Sequence, residues 1–426
     1  MEVPARSSTG LASENERTGR VTVRERIWVG IDVGKGAHHA CAVDEAGKVV
    51  FSQRVANGQS AIESLITRAR GRAAQVTWAV DLTSGPAGLL NALLLATTDP
   101  VAYVTGRTVN RMAGAFGGEA RSGAKDAKII AGTARLRRDL PLITQPGQTV
   151  TGLTVLTARR EDLMNGWVRG INRLRELLAS IFPALEAGLD YSTRAPLILL
   201  TGFQAPAAIR ATGRQRLLEH LTSHGVRTAT AATVTAKALA AADRQSIALP
   251  AEAATAPLIA RLERQLLDLD REIKDLTKQI TGTFRTHPEA GIIESLPGLG
   301  PVLGAEFLVA TAGNLTTFAT SARLAAFAGL APMTRDSGRV QGNLHKPQRY
   351  NRRLRRVFFM AALASSMRDG PSKTFYQRKP AEGKHHIQAL LALARRLVDV
   401  LWALLRGKRS FTPTAPQAGT TNAAAA

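Results

Sequence analysis

Along the first hundred or so residues, apolar positions alternate between runs that suit strands and spacings that suit helices. Ile27, Trp28, Val29 and Ile31 form a nearly unbroken apolar segment, the pattern of a strand buried on both faces, which ends at Asp32-Val33-Gly34-Lys35. Residues 37 to 46 read as a second strand, Gly47 as a turn, and Lys48 to Ala56 as a third, so the chain opens with a meander. Helical spacing over 60 to 72 follows. Then come a strand from Val76 to Leu82, a helix over 86 to 97, a strand from Val101 to Val104 and a helix over 125 to 137.

Three antiparallel strands followed by alternating helix and strand predict an α/β sheet covered by helices, in the order of the ribonuclease-H fold. Two of its strands end in carboxylates, Asp32 and Asp81, and Asp126 stands near the start of the last helix. A lone aspartate at a strand end is usually a cap or turn residue. Three at matching points of one topology read instead as ligands for two magnesium ions, because hard divalent cations take carboxylate oxygens.

The remaining pattern is mostly helical. A glycine-rich basic stretch from about 107 to 124 reads as a loop that either approaches a phosphate backbone or simply connects. Residues 151 to 187 form a long helical stretch with interleaved arginines, and 192 to 245 is alanine-rich with breaks near Gly202, Gly213 and Gly225. Between 255 and 285, Leu258, Leu262, Leu266, Leu269, Ile273, Leu276 and Ile280 recur at threes and fours, a heptad-like seam for pairing within the chain or with a second copy. Leu296-Pro-Gly-Leu-Gly300 reads as a hairpin between two helices that can offer backbone N–H groups to a phosphate. A short helix over 320 to 330 precedes an irregular basic segment, and helices at 354 to 368 and 385 to 406 close the chain. The predicted organisation is a disordered arm at 1–25, a metal-binding domain at 26–150, a helical linker at 151–290 with a coiled-coil segment at 255–285, a C-terminal domain at 291–407 and a disordered tail at 408–426.

Composition changes the picture in one direction. Fifty-six Lys and Arg against 33 Asp and Glu leave a net charge of +23, which calls for a polyanion such as nucleic acid. With only 5% aromatic residues, phosphate contacts from Arg and Lys should outweigh base stacking. The single cysteine, Cys41, cannot form an internal disulfide, and no run approaches the roughly 20 apolar residues of a membrane span. Both point to the cytoplasm and no membrane partner. The N-terminal residues lack the apolar region of a signal peptide.

Nine cationic or potentially cationic side chains fall between Arg335 and Arg356, and Arg335, Arg339, Lys346, Arg349, Arg352 and Arg353 are the predicted phosphate contacts. Within this segment Ser337 is framed by Arg335 and Arg339. A Ser-Gly pair is ordinarily a turn, but two flanking arginines could neutralise a phosphate under attack by the hydroxyl. The adjacent His38 and His39 point to opposite faces of a strand and so do not share one ion.

The ordered set Gly30-Ile-Asp32-Val-Gly-Lys35, Ala79-Val-Asp81, Gly118 to Ala127, Leu296-Pro-Gly-Leu-Gly300, Phe327-Ala-Gly-Leu-Ala-Pro332 and Arg335-Asp-Ser337-Gly resembles the transposases of the insertion-sequence-one-ten family, over about 26 to 406. These are bridge-RNA-guided serine recombinases whose N-terminal domain looks like a Holliday-junction resolvase. The resemblance implies a mostly α C-terminal transposase domain, Mg²⁺ held by Asp32, Asp81 and Asp126, and Ser337 as the nucleophile. It also implies element-end and target DNA and a structured guide RNA as partners, and a dimer to tetramer whose two domains meet across protomers. One departure stands out: a further family carboxylate falls on Gly123, with Glu119 nearby in sequence as a substitute. That keeps two alternatives open, a resolvase-like nuclease using carboxylates and water alone, and a catalytically impaired DNA- or RNA-binding copy. An actin-like sugar kinase shares the Gly-Ile-Asp-x-Gly opening, but its second Asp-x-Gly-Gly lobe is missing.

Overall fold

The computed structural model describes residues 24–83, 85–115, 122–143, 147–334, 339 and 341–413. The chain divides into two compact units, 1–145 and 146–426.

In the first unit, strands β1 (Arg24–Asp32), β2 (Ala37–Val43), β3 (Val49–Ala56), β4 (Ala73–Val80) and β5 (Val101–Tyr103) form one sheet in the order β3-β2-β1-β4-β5. The first three strands pair antiparallel, while β4 lies parallel to both β1 and β5. Helices α1 (Gln59–Arg70), α2 (Gly88–Leu95), α3 (Gly106–Met112) and α4 (Gly123–Leu136) accompany it. β1 begins at Arg24, so the arm expected to reach residue 25 gives way to strand slightly earlier.

Strand alternation sorts the side chains onto two faces. Ile27, Val29 and Ile31 of β1 and Val76, Trp78 and Val80 of β4 share a core with Ile62 and Leu65 of α1 and Leu90 and Leu94 of α2. On the opposite face, Ala79 and Ala102 pack with Ile129, Ile130 and Ala134 of α4, and Trp28 borders them. Small residues bring α4 close. A Cβ on Gly30 would stand 2.2 Å from the backbone nitrogen of Ala131 and 2.3 Å from the carbonyl oxygen of Ala127, so only glycine lets the helix rest on β1.

The stretch expected to be a glycine-rich loop is partly helical. α3 starts on Thr105, whose Oγ1 accepts a hydrogen bond from the backbone N–H of Thr108 at 3.2 Å, and a 3₁₀ turn covers Ala113–Ala115. Residues 116–121, including Glu119, lie outside the described residues.

The second unit contains α5 (Gln148–Ile181), α6 (Pro183–Gly188), α7 (Arg194–Gly202), α8 (Pro206–Ser223), α9 (Thr228–Asp243) and α10 (Glu252–Arg285). It continues with α11 (Ala290–Ser295), α12 (Pro301–Ala310), α13 (Ser321–Phe327), α14 (Arg352–Ser366), α15 (Pro371–Ala381) and α16 (His386–Arg406). A two-stranded antiparallel ribbon, β6 (Met333–Thr334) with β7 (Leu344–His345), precedes α14. The apolar spacing does not reveal α15, which is amphipathic only weakly and buries none of its residues.

Two cores fill this unit. One joins α5 to α10 with Leu197, Leu199, Leu217 and Ala238 of the helices between them. The other joins Phe307, Phe358, Leu397 and Leu401 of the C-terminal helices with Val150 and Leu153 of α5 and Ile280 and Phe284 of α10. The two long helices therefore feed both cores. The predicted seam on α10 turns by about one position at its N-terminal half. Thr255, Ile259, Glu263, Leu266, Leu276, Ile280 and Phe284 are buried, whereas Leu258 is 50% exposed.

The hairpin between α11 and α12 is used for packing. Gly298 has φ +87°, and a Cβ there would stand 2.2 Å from the carbonyl oxygen of Ala361 on α14, with Leu296 and Leu299 buried on either side.

Candidate active site

Three features of the first unit converge at the C-terminal ends of its parallel strands. β1 ends on Asp32; the paired residues Ile31 and Val80 lie one step earlier, so Asp81, just past β4, is its neighbour across the sheet. The backbone N–H of Val33 donates to Asp81 Oδ1 at 3.2 Å and ties the two strand ends together. α4 arrives beside them with its N-terminus, capped by Ser122, whose Oγ accepts from the N–H of Lys125 at 3.3 Å. Asp126 sits in the first turn of that helix, where a negative charge suits the exposed N–H groups.

The electrostatics record the convergence. Burial pushes the Asp32 carboxyl up to about 6, with the charges of Asp81 and then Asp126 adding to the rise. Burial likewise raises Asp81, against the pull of the Val33 N–H and with a further push from Asp126. Such a group of half-buried, mutually repelling oxygens is relieved by a cation, and hard oxygen donors fit a divalent one. The carboxylates sense one another without forming a finished cage: among the described residues, no three His, Cys, Asp or Glu side chains are drawn together as an ion-binding group.

Gly123 enters the site directly. It is the first residue of α4, and a Cβ on it would lie 3.0 Å from Asp32 Oδ2 and 3.4 Å from His39 Cβ. The position on which the resemblance places a further carboxylate thus lies beside Asp32. His39, set aside by the sequence reading, is paired with Asp32 across β1 and β2, and its Nε2 is 2.9 Å from Ser52 Oγ. The antiparallel register was the signal that could have found it. His38 points the other way, is buried, and is held by burial below the ordinary histidine range. Cys41 is a buried free thiol whose burial raises its pKa, a packing residue rather than a nucleophile.

In the second unit, Arg335 and Ser337 lie outside the described residues, in the sequence between β6 and β7. Arg339, Lys346, Arg349 and Arg352 are exposed. Arg353 is engaged within the chain: its Nη2 donates to Glu161 Oε2 at 2.8 Å and its Nη1 to Thr157 Oγ1 at 3.4 Å, so it fastens α14 to α5. Nearby, Arg355 lies over the Tyr350 ring, 4.9 Å from its centroid, and Arg356 pairs with the buried Glu306. No helix among the described residues is long and apolar enough to cross a membrane.

Comparison with known proteins places the chain in a family. Residues 29–183 match the profile of a transposase domain of the DEDD type found in IS110 elements, which as a class points to dependence on a divalent metal ion. Residues 290–377 match the profile described as Transposase IS116/IS110/IS902 family. An uncharacterized 44.8 kDa protein of insertion element IS116 from Streptomyces clavuligerus is 53% identical over 93% of this chain and 98% of its own length. An uncharacterized 42 kDa protein of insertion element IS900 from Mycobacterium paratuberculosis is 45% identical over 94% of this chain and 99% of its own. The transposase of insertion element IS1111A from Coxiella burnetii is 23% identical over 92% of this chain and 93% of its own. With two profiles in the expected order and relatives of this identity along nearly their whole length, the chain belongs to the IS110/IS116 family of insertion-element transposases.

Proposed function

We propose that this transposase cuts and rejoins the DNA of its own element through Ser337, supported by Mg²⁺ at Asp32, Asp81 and Asp126. The observation that carries the reading is that Asp32 and Asp81 stand at adjacent strand ends tied by the Val33 N–H, with Asp126 in the first turn of the helix packed on that sheet and close enough for its charge to act on Asp32. Strand order β3-β2-β1-β4-β5 supports a ribonuclease-H-like, resolvase-like identity for the domain. The division into 26–150, 151–290 and 291–407, with 255–285 as a self-pairing segment, belongs to the same reading.

In this mechanism the Ser337 hydroxyl gives up its proton and attacks a DNA phosphorus. The new bond is Ser Oγ–P, the bond that breaks is P–O to the neighbouring nucleotide, and the leaving oxygen takes a proton. Reversal with a different nucleotide hydroxyl rejoins the strand. Arg335 and Arg339 neutralise the attacked phosphate, and Lys346, Arg349 and Arg352 hold the backbone around it; Arg353 joins them only by releasing Glu161. The ions, when bound, supply Lewis-acid stabilisation of charge on the reacting oxygens. Asp32, Asp81 and Asp126 hold them, and His39 with Ser52 walls the site on the β2 side. A structured RNA would choose the donor and target DNA, and a dimer or tetramer would bring one protomer's Ser337 to another's carboxylates.

The test is incubation of the full chain with element-end DNA, flanking RNA and Mg²⁺, followed by denaturing electrophoresis for DNA carrying covalently attached protein. The adduct is expected with wild type, absent in Ser337→Ala, and reduced at least a hundredfold in Asp32→Asn. An adduct that persists in Ser337→Ala removes the nucleophile assignment; cleavage with no adduct in any variant favours a water-using nuclease.

A second reading is favoured by one observation, the place of Gly123 beside the carboxylates, where a Cβ would stand 3.0 Å from Asp32 Oδ2. Glycine brings no carboxylate where the family has one, which would leave a copy that binds nucleic acid and cuts it poorly or not at all. Under that reading Gly123→Asp creates cleavage that wild type lacks.

A further inference from the structure

Helix α4 has the carboxylates at its N-terminal end and a very different surface at the other. There the same sheet face opens into a cavity of about 620 Å³ whose lining includes Arg26, Trp28, Thr77, Arg135, Arg137 and Arg138, with Glu45 on its wall. Arg26 lies six residues before Asp32 on β1, about 20 Å away at strand rise. Arg135 lies nine residues beyond Asp126 on α4, about 13 Å away at helix rise. The two sites are therefore separate places on one face.

Two of these arginines are held without being neutralised. Both Nε and Nη2 of Arg26 donate to the side-chain oxygen of Gln75, an uncharged acceptor, and its guanidinium stands 5.9 Å from the Trp28 ring centroid. Arg135 Nη1 donates to the backbone carbonyl of Glu45 at 2.9 Å, again an uncharged acceptor, while its Nε is buried with no hydrogen-bond partner. Arg138 is exposed and has no hydrogen bond or ion pair to any described residue. Arg137 alone spends its charge on a carboxylate, pairing with Asp139. Arginines at a helix C-terminus do complement the dipole there, but that role needs neither a concave surface nor Arg26 from a strand.

We propose that this cavity is a second nucleic-acid contact, in which Arg26, Arg135 and Arg138 grip backbone phosphates away from the point of cleavage. The ligand class follows from the donors: two guanidiniums held by uncharged acceptors and a third on the surface beside them match phosphate oxygens. At about 3.4 Å per nucleotide along a strand, the 13–20 Å between the two sites corresponds to roughly four to six nucleotides. A strand running along α4 reaches both. The site rests on the chain's handling of nucleic acid, not on which residue performs the cut.

The experiment measures binding of the full chain, in EDTA so that no cleavage occurs, to a fluorescent random-sequence duplex DNA and to an RNA of equal length. Arg138→Glu is the first variant, since that side chain has no partner among the described residues to lose; Arg135→Gln/Arg138→Gln is the second. The control is Arg264→Gln/Arg271→Gln on α10, which removes the same charge elsewhere. The expected result is a three- to tenfold loss of affinity for at least one of the polymers in both site variants, and a salt slope shallower by about one per contact removed. Loss with DNA alone or RNA alone identifies which polymer uses the site; loss with both identifies a shared backbone contact. Site variants that lose no more than the control, with either polymer, overturn the proposal. So does a double variant that weakens binding while Arg138→Glu leaves it unchanged, because the loss then traces to the fold around Arg135.

Discussion

At the scale of single residues, the two positions that most constrain this protein are a carboxylate that is present without a partner and one that is absent. Glu263 on α10 is fully buried, neither of its oxygens has a hydrogen-bond partner among the described residues, and burial pushes it up to about 9. A carboxyl whose folded value is raised favours folding least where the unfolded chain is ionised. Below about pH 4.5 both states carry the proton and no penalty arises; as pH rises toward 9 the unfolded chain releases its proton and stability falls. Glu263→Gln keeps the shape and cannot ionise. It should be more stable than wild type by on the order of 3 kcal/mol near pH 7.5, with the gain shrinking to less than about 1 kcal/mol at pH 5. Urea unfolding at the two pH values checks this, and a gain independent of pH would mean that Glu263 is not held neutral. Gly123 is the converse case. An aspartate there would need Asp32 to yield by a few tenths of an ångström at the end of a movable side chain, since the Cβ would lie 3.0 Å from Oδ2. Gly123→Asp should therefore fold, lose stability by about 1 kcal/mol in EDTA through added repulsion, and regain more than wild type does when Mg²⁺ is added. Melting temperatures with and without Mg²⁺ give the comparison; equal Mg²⁺ shifts in the two proteins would place position 123 outside the ion's reach.

At the scale of elements, close backbone approach decides where the helices sit. Gly30 admits α4 to β1, and Gly298 admits the α11–α12 hairpin to α14. A methyl group at either would meet backbone atoms 2.2 Å away, and at Gly298 the φ of +87° adds strain. Gly30→Ala and Gly298→Ala should each cost about 3 kcal/mol or more, read as a lowered unfolding midpoint. Gly30→Ala should also weaken the Mg²⁺-dependent stabilisation, because the helix it displaces carries Asp126. These elements show how far the sequence could be read. The five strands, the helices α1, α2 and α4, and the places of Asp32 and Asp81 at strand ends are legible because alternation, apolar runs and strand-end carboxylates are local patterns. The role of Gly298 is not, since whether a glycine-rich hairpin meets a phosphate or a neighbouring helix depends on a residue 63 positions later, Ala361. α3 was missed because glycines around it imitate a loop, and the N-terminal half of the α10 seam slipped because Thr255 and Glu263, polar by type, are buried while Leu258 is half exposed. Arg353 read as a phosphate contact because nothing local to it reveals Glu161 on a helix nearly two hundred residues earlier.

At the scale of the whole molecule the governing quantity is a net charge of +23. Part of the cationic inventory is consumed inside the fold, as Arg353 with Glu161 and Arg356 with Glu306 illustrate, and part is already matched on the surface, as Arg159 is with Glu272. The exposed Arg339, Lys346 and Arg352, together with Arg26, Arg135 and Arg138 of the first unit, remain for a polyanion. Six or more phosphates neutralised at a slope near 0.9 each imply that affinity for unrelated duplex DNA falls by about a thousandfold or more between roughly 50 and 200 mM monovalent salt. With aromatic residues at 5% of the chain, stacking contributes little, so the slope should be nearly the same for duplexes of different base composition. Binding titrations across that salt range decide the matter. A fall of less than tenfold would mean that the positive charge is spent on holding the protein's own helices together, and recognition of the element would then have to come from hydrogen bonds to base edges rather than from phosphate contacts.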